Sequence, residues 1–157
     1  MQAFATASAF RHARLTLMTE RATEFIDVTS RVQAMVKSAG IHTGMVNIQT
    51  LHTTTGIVLQ EHEPLLLEDF TALLERTAPA EAPYHHDDLR IRTVNLTPDE
   101  RLNGHAHCRA LLLSAFACLN IVNGRLQLGR WQRVFLVELD GPRTRELSVL
   151  LMGEAAQ

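Results

Sequence analysis

IVNGRLQLGRWQRVFLVELDGPRTRELSVLLM, residues 121–152, holds two turn signals between runs of alternating apolar and polar residues. Asn123-Gly124 is the dipeptide of a tight hairpin, joining a strand that ends near Val122 to one that starts at Arg125. In the strand Trp131 to Leu139, Trp131, Phe135, Val137 and Leu139 share one face. Gln132, Glu138 and Asp140 take the other, with Val134 and Leu136 between them. Gly141-Pro142 turns the chain into a last strand, Arg145 to Met152. This reads as an antiparallel meander, and it fixes the fold class for the rest of the chain.

Upstream, Thr97-Pro98-Asp99-Glu100 supplies an N-cap, a Pro at the first helical position and a Glu three residues after the cap. The pattern predicts a helix from there to about Leu113, with Asn103 and His107 on one face and Ala106, Ala110 and Leu113 offset toward the core. Pro64 fits the first turn of another helix, whose buried face would be Leu66, Phe70, Leu73 and Leu74. Ser30-x-x-Gln33 is a capping box before the stripe Val32, Met35, Val36 and Ala39, and Gly40 sits at its C-terminal cap. From Gly44 to Leu59 the pattern is extended and includes the β-branched run Thr53, Thr54 and Thr55, ended by Gly56. Strands are also predicted from Phe10 to Met18 and around Glu24 to Val28. Three helices among antiparallel strands, without a βαβ rhythm, give an α+β fold of mainly antiparallel sheets. No Gly-x-Gly-x-x-Gly or P-loop is present.

The 157 residues suit one domain across 1–157. With 46% hydrophobic and 20% charged residues, neither a disordered nor a fibrous chain fits. A formal net charge of −2 provides no global positive field, so nucleic acid is not expected as a partner. Ala110 to Gly124, the longest uncharged run, is shorter than the roughly 20 residues of a membrane-spanning helix. Met1 to Phe10 has no basic residue ahead of its apolar ones, unlike a secretory signal. Cys108 and Cys118 form no Cys-x-x-Cys pair and are expected to be small buried hydrophobes in a reducing compartment. The expectation is a cytoplasmic protein with no membrane partner.

The chemistry-bearing residues cluster. Six of eight His lie between positions 52 and 107. His52, His86 and His107 are candidates for a divalent metal, since three protein ligands and an open position make a catalytic centre; the alternative is a hydrogen-bond network. Of His105 and His107, two apart on a helix, only one should face the site, and His107 shares its face with Asn103. Thr54 and Thr55 could cradle a phosphate oxygen or could simply reflect β propensity. Glu61 and Glu63 could accept a proton or could be charge at a helix N-terminus. Arg143 is a candidate anion clamp, with Arg145 two residues on, against the ordinary fate of a solvated surface Arg. Gln132, Glu138 and Asp140 could line a cleft or face solvent.

Six segments together resemble the YjbQ-like family, often described as secondary thiamine-phosphate synthases. They are His52-Thr53-Thr54-Thr55-Gly56, Glu61-His62-Glu63-Pro64, Tyr84-His85-His86-Asp87, Asn103-Gly104-His105-Ala106-His107, Leu128-Gly129-Arg130-Trp131-Gln132 and Glu138-Leu139-Asp140-Gly141-Pro142-Arg143. The resemblance spans about residues 25 to 153. It implies a small α+β domain assembling as a homotrimer, with the His motifs at a cleft near subunit interfaces. The metal ligands carried over would be His52, His86 and His107, holding zinc or magnesium. Thr54, Thr55, Asn103, Gln132 and Arg143 would bind a small phosphorylated substrate, and Glu61 or Glu63 would handle a proton. The implied activity joins a pyrimidine pyrophosphate to a thiazole phosphate with departure of pyrophosphate. The competing readings are a non-catalytic trimeric ligand- or metal-binding protein and a metal-dependent phosphoester hydrolase. The sequence departs from the family pattern at Ser114-Ala115-Phe116 and Asn120, in the loop after the helix, and at Arg130, which could add a cation beside the cleft.

Overall fold

The computed structural model describes residues 8–155. Its elements are β1 (Ser8–Met18), β2 (Glu24–Asp27), α1 (Thr29–Ala39), β3 (Ile41–Thr50), β4 (Thr55–Glu61), α2 (Pro64–Thr77), α3 (Gly104–Leu111), β5 (Phe116–Val122), β6 (Arg125–Leu126), β7 (Gln132–Glu138) and β8 (Thr144–Ala155), with a 3₁₀ turn at His85–Asp87. The strands make two antiparallel sheets, one ordered β1-β8-β3-β5-β6 and one ordered β2-β7-β4. The architecture is the α+β one read from the sequence.

Alternation along β3, β5 and β8 turns Val46, Ile48, Leu119, Ile121, Leu147 and Val149 inward, where they meet α1 and the facing residues Ile57, Val134 and Leu136 of the smaller sheet. On that sheet's other face Phe135, Val137 and Leu139 pack with Leu74 of α2 and Ala106 of α3. The run Val134 to Val137 is thus buried on both faces, and both hydrophobic clusters meet across β7. Each such side chain contributes roughly 1.5–3 kcal/mol of transfer free energy.

This double burial corrects the expected division of the Trp131 strand. Trp131 is 59% exposed, while Glu138 and Asp140 lie inside the protein. The stretch from Gly44 to Leu59 also divides: β3 leaves the larger sheet at Thr50, and β4 joins the smaller at Thr55, so neighbouring β-branched residues serve different sheets. A hydroxyl contact of 2.5 Å between Thr50 and Thr55 closes that corner.

The helix predicted from Thr97 begins instead at Gly104. Its capping residues make only one turn, in which the Glu100 carboxylate accepts from the Thr97 amide and hydroxyl, because Arg92 holds the other oxygen of Glu100 at 2.5 Å. The Ser30–Gln33 box does not form either. Gln33 instead bridges to the hairpin, donating to the Gly124 carbonyl and accepting from the Leu126 amide, while Asp27 accepts from the Thr29 amide. On α2, Leu73 is exposed and Leu67 packs inward in its place. Both cysteines are exposed rather than buried, Cys118 because alternation on β5 turns its neighbour Leu119 inward. The hairpin at Asn123-Gly124 forms as read, both residues having positive φ, and Gly40 caps α1 in the left-handed region. No helix among the described residues is long and apolar enough to cross a membrane.

Candidate functional site

Where β7 ends, the Glu138 carboxylate accepts from the amides of Leu139 and Asp140, both at 2.8 Å, and from Arg145 and the Thr19 hydroxyl. Burial works against the charged carboxylate, but these hydrogen bonds outweigh it and hold the Glu138 carboxyl below its usual range. Arg145, expected beside the anion clamp, is buried in this pair and donates onward to the Thr54 hydroxyl at 3.0 Å.

The chain leaves this anchor at Asp140, whose own carboxylate gathers three side chains. Asn103 Nδ2 donates to it at 2.9 Å, Arg143 Nη2 lies at 3.0 Å, and Arg101 Nη1 at 3.4 Å while also donating to the Asp140 carbonyl at 2.7 Å. Within this trio one carboxylate stands between two guanidiniums; of the cleft's other acids Glu100 is paired with Arg92, and Asp99 adds a carboxylate. Asp140 is 8% exposed, whereas the Arg101 and Arg143 side chains are 41% and 38% exposed. They line a cleft of about 550 Å³ with Thr97, Asp99, Glu100 and Thr144. Two fork-shaped cations fixed by a buried carboxylate suit a phosphate or diphosphate.

Two imidazoles stand next to this centre. Asp87 accepts from the Gly104 amide at 2.9 Å and so ties the 3₁₀ turn to the start of α3. A Cβ at position 104 would fall 2.5 Å from Cβ of Tyr84, so the close approach needs glycine. It brings the rings of His86 and His107 to 4.6 Å between centroids at 61°. Burial, then the charge of His86 and of Arg92, pushes the His107 pKa down, despite Asp140 and Asp87. Nε2 of His86 and Oδ1 of Asn103 are buried without hydrogen-bond partners. His105 diverges from His107 and lies beside Tyr84, at 6.4 Å between ring centroids.

His52 lies close enough to Arg145 and Arg143 to feel their charge. Its Nε2 accepts from the Glu146 amide at 2.9 Å, which places its proton on Nδ1. Burial and then Arg145 lower its pKa. Among the described residues no group of three or more His, Cys, Asp or Glu is arranged to hold a metal ion. His86 and His107 supply two donors, and the His52 nitrogen turned inward is engaged elsewhere.

The remaining sequence candidates divide. The Thr54 and Thr55 hydroxyls are buried in contacts with Arg145, Thr50 and the His52 carbonyl, so they shape the corner behind the cleft. Glu61, Glu63 and Gln132 are at the far end of the smaller sheet. On β7, Gln132 pairs with Glu61 and Glu138 with Thr55, so six residues, about 20 Å of strand, separate the two ends. Glu63 is the N-cap of α2 and accepts from the amides of Leu65 and Leu66. Gln132 accepts from the Gly129 amide at 2.8 Å. Beside them Arg130 stacks over the Trp131 ring at 4.5 Å, lining a second cleft of about 550 Å³ with Glu61, His62 and Arg133.

Arg101 is the residue that sequence reasoning missed. Its place on a presumed helix surface hid it, and only the irregular path from Glu100 to Leu102 brings it to Asp140.

The chain is similar throughout to proteins of one kind. The family model described as UPF0047 protein YjbQ-like matches residues 13–154. A UPF0047 protein of Methanothermobacter thermautotrophicus is 38% identical over 140 residues, covering 89% of this chain and 90% of that protein. UPF0047 protein YugU of Bacillus subtilis is 32% identical, covering 88% and 97%. Among solved structures, a YbjQ-like protein of unknown function from Sulfolobus solfataricus superposes with a TM-score of 0.84 at 32% identity, over 94% of this chain and all of that one.

Proposed function

We propose, for a chain that belongs to the UPF0047 YjbQ-like family, that it binds a small phosphorylated substrate in the Asp140-centred cleft and carries out a transferase reaction of the thiamine-phosphate synthase type there. The observation that supports this reading is the pair Arg101 and Arg143, held on one buried carboxylate and partly exposed where they line the cleft. In the reaction a bond forms between the thiazole phosphate and the pyrimidine half as the bond to pyrophosphate breaks, and negative charge builds on the departing group. Arg101 and Arg143 are fixed in advance to meet that charge, at no cost of reorganisation. Asn103 and Thr144 border the same space and orient the phosphate oxygens.

His107, kept neutral by burial, is able to accept a proton or donate a lone pair. A divalent ion would be held by His86 and His107, and imidazole donors favour zinc over magnesium. Such an ion would add positive charge next to the leaving group. With His52 bonded to the Glu146 amide, the two imidazoles of one chain make an incomplete set, so no step depends on it. Glu61 and Glu63 take no part within a single chain. The protein works as a homotrimer in the cytoplasm.

The test is to incubate purified protein with the pyrimidine pyrophosphate and the thiazole phosphate and follow pyrophosphate and thiamine phosphate. Formation of both products in equal amounts, lost in Arg143→Ala, is the expected result. Pyrophosphate binding without turnover leaves a binding protein, and phosphate release from either substrate alone identifies a hydrolase.

A further inference from the structure

The cleft beside Asp140 carries a charge that its own chain leaves unanswered. Asp99 lines it together with Arg101 and Arg143. Of the other acids there, Asp140 is taken up by Asn103 and the two arginines, and Glu100 by Arg92 on one oxygen and Thr97 on the other. Among the described residues the exposed Asp99 side chain has neither an ion pair nor a hydrogen bond.

The backbone fixes where this carboxylate stands. Thr97 to Glu100 is a β-turn with Pro98 and Asp99 as its central residues, closed by the Glu100 amide donating to the Thr97 carbonyl at 3.2 Å. Pro at the first central position presets the φ that the turn requires. On one side of the turn Arg92, with a side chain 13% exposed, bridges Glu100 to the carbonyls of His86 and Asn95. On the other side Arg101 donates to the Asp140 carbonyl at 2.7 Å. Asp99 is carried between these two anchors. It precedes Arg101 by two residues, so their Cα atoms are at most about 7 Å apart.

Taking the phosphate-binding reading of the cleft as the premise, we propose that its ligand is a dipolar organic phosphate. The phosphate lies on Arg101 and Arg143, and a cationic nitrogen a few carbons away lies on Asp99.

An unpaired carboxylate next to two guanidiniums is a handicap for a ligand that is only an anion. It repels the very charge that the arginines attract, so inorganic pyrophosphate would be held better by a cleft with a neutral side chain at position 99. A ligand with a positive nitrogen reverses that sign. The ammonium then replaces the water around Asp99 while the phosphate replaces the water around the arginines, and each charge meets its opposite. Specificity of this kind comes as much from rejecting the wrong ligand as from holding the right one. Asp99 thus selects among phosphates, whereas the two arginines recognise the phosphate itself.

The test is a set of calorimetric titrations at low ionic strength, where exposed charges are least screened, with EDTA present so that no metal ion bridges Asp99 to a phosphate. Ethyl and propyl phosphate are compared with aminoethyl and aminopropyl phosphate, which differ from them only by the ammonium group. The wild-type protein should bind at least one aminoalkyl phosphate about fivefold or more tightly than its alkyl counterpart. Asp99→Asn should abolish that preference and at the same time bind inorganic pyrophosphate about twofold or more tightly. Asp99→Glu, which keeps the charge, should keep the preference. Opposite responses to the two kinds of ligand separate selection from damage to the fold, because a distorted cleft weakens both. Equal wild-type affinity for each amino and alkyl pair overturns the proposal and leaves the phosphate reading standing. Weaker pyrophosphate binding in Asp99→Asn also overturns it. If the wild-type protein takes up neither pyrophosphate nor any of the organic phosphates, the phosphate reading falls and the dipolar ligand falls with it.

Discussion

Arg145 donates to both carboxylate oxygens of Glu138, from Nε and from Nη2, each at 2.6 Å, with the two side chains 3% and 0% exposed. Buried pairs of this geometry gain little over an apolar pair, but losing one member strands a charge. Glu138→Ala is therefore expected to lower the unfolding free energy by about 3–5 kcal/mol. The double replacement Glu138→Leu, Arg145→Met should restore most of it. Urea denaturation of the three variants checks this, and a single-variant loss below about 1 kcal/mol would show that water reaches the pair.

Arg101 and Arg143 predict a ligand effect larger than their folding effect. Charge-assisted hydrogen bonds of about 1.5–3 kcal/mol make each Arg→Ala change cost roughly tenfold or more in pyrophosphate affinity. Stability should fall by less than in Glu138→Ala, because the buried Asp140 carboxylate keeps Asn103 and the other arginine in each single variant. Titration calorimetry with the folded variants separates the two; equal affinity in Arg101→Ala would exclude that residue from the cleft.

His52 and His107 give stability a pH dependence of known sign. Both have pKa values below the ordinary 6.5, chiefly through burial, so on acidification the unfolded chain takes up protons before the folded one. Their contribution is complete above pH 6.5 and is lost as the pH falls from there through the lower folded pKa values. The Glu138 carboxyl, held below its ordinary 4.5, stays charged at the upper end of that window. Urea midpoints at pH 7.5, 6.5 and 5.5 should decline, and the decline should shrink in His107→Gln. A flat profile in the wild type would contradict the burial of these rings.

Glu63 has a role that stability can read. As an N-cap accepting two amides it should contribute about 1 kcal/mol, so Glu63→Ala lowers the midpoint of thermal unfolding by about 2–4 °C. Glu63→Asp keeps a capping carboxylate and should hold the wild-type midpoint. Loss of pyrophosphate formation in Glu63→Asp at unchanged midpoint would give Glu63 a chemical role beyond the cap.

The elements that local pattern determines were legible in the chain. Asn123-Gly124 forces a hairpin whatever surrounds it, and Val32, Met35, Val36 and Gly40 specify α1 through spacing and a cap. What escaped depends on partners distant in sequence. Glu138 and Asp140 have the polar character of a solvent face, and only α3 and the Arg145 strand, packed from elsewhere, make them internal. Thr97 to Glu100 has the residues of a capped helix start, yet the Arg92 bond to Glu100 confines them to a single turn. The imidazoles His86 and His107 were picked out by their types, but their 4.6 Å approach depends on the Asp87 bond to Gly104, seventeen residues away. Arg101 had no local signal, because its meaning is its distance to Asp140.

The strand order of the larger sheet has a consequence for how the protein is made. Among the described strands β1 has β8 as its one neighbour, Ser8 lying against Glu154 and Met18 against Thr144. As the chain emerges from the ribosome, β1 waits without this partner until β8 has left the tunnel. A ribosome paused before residue 144 thus displays β1 and the bare edge of β3 to chaperones and proteases, and the arrival of β8 is the event that seals the sheet.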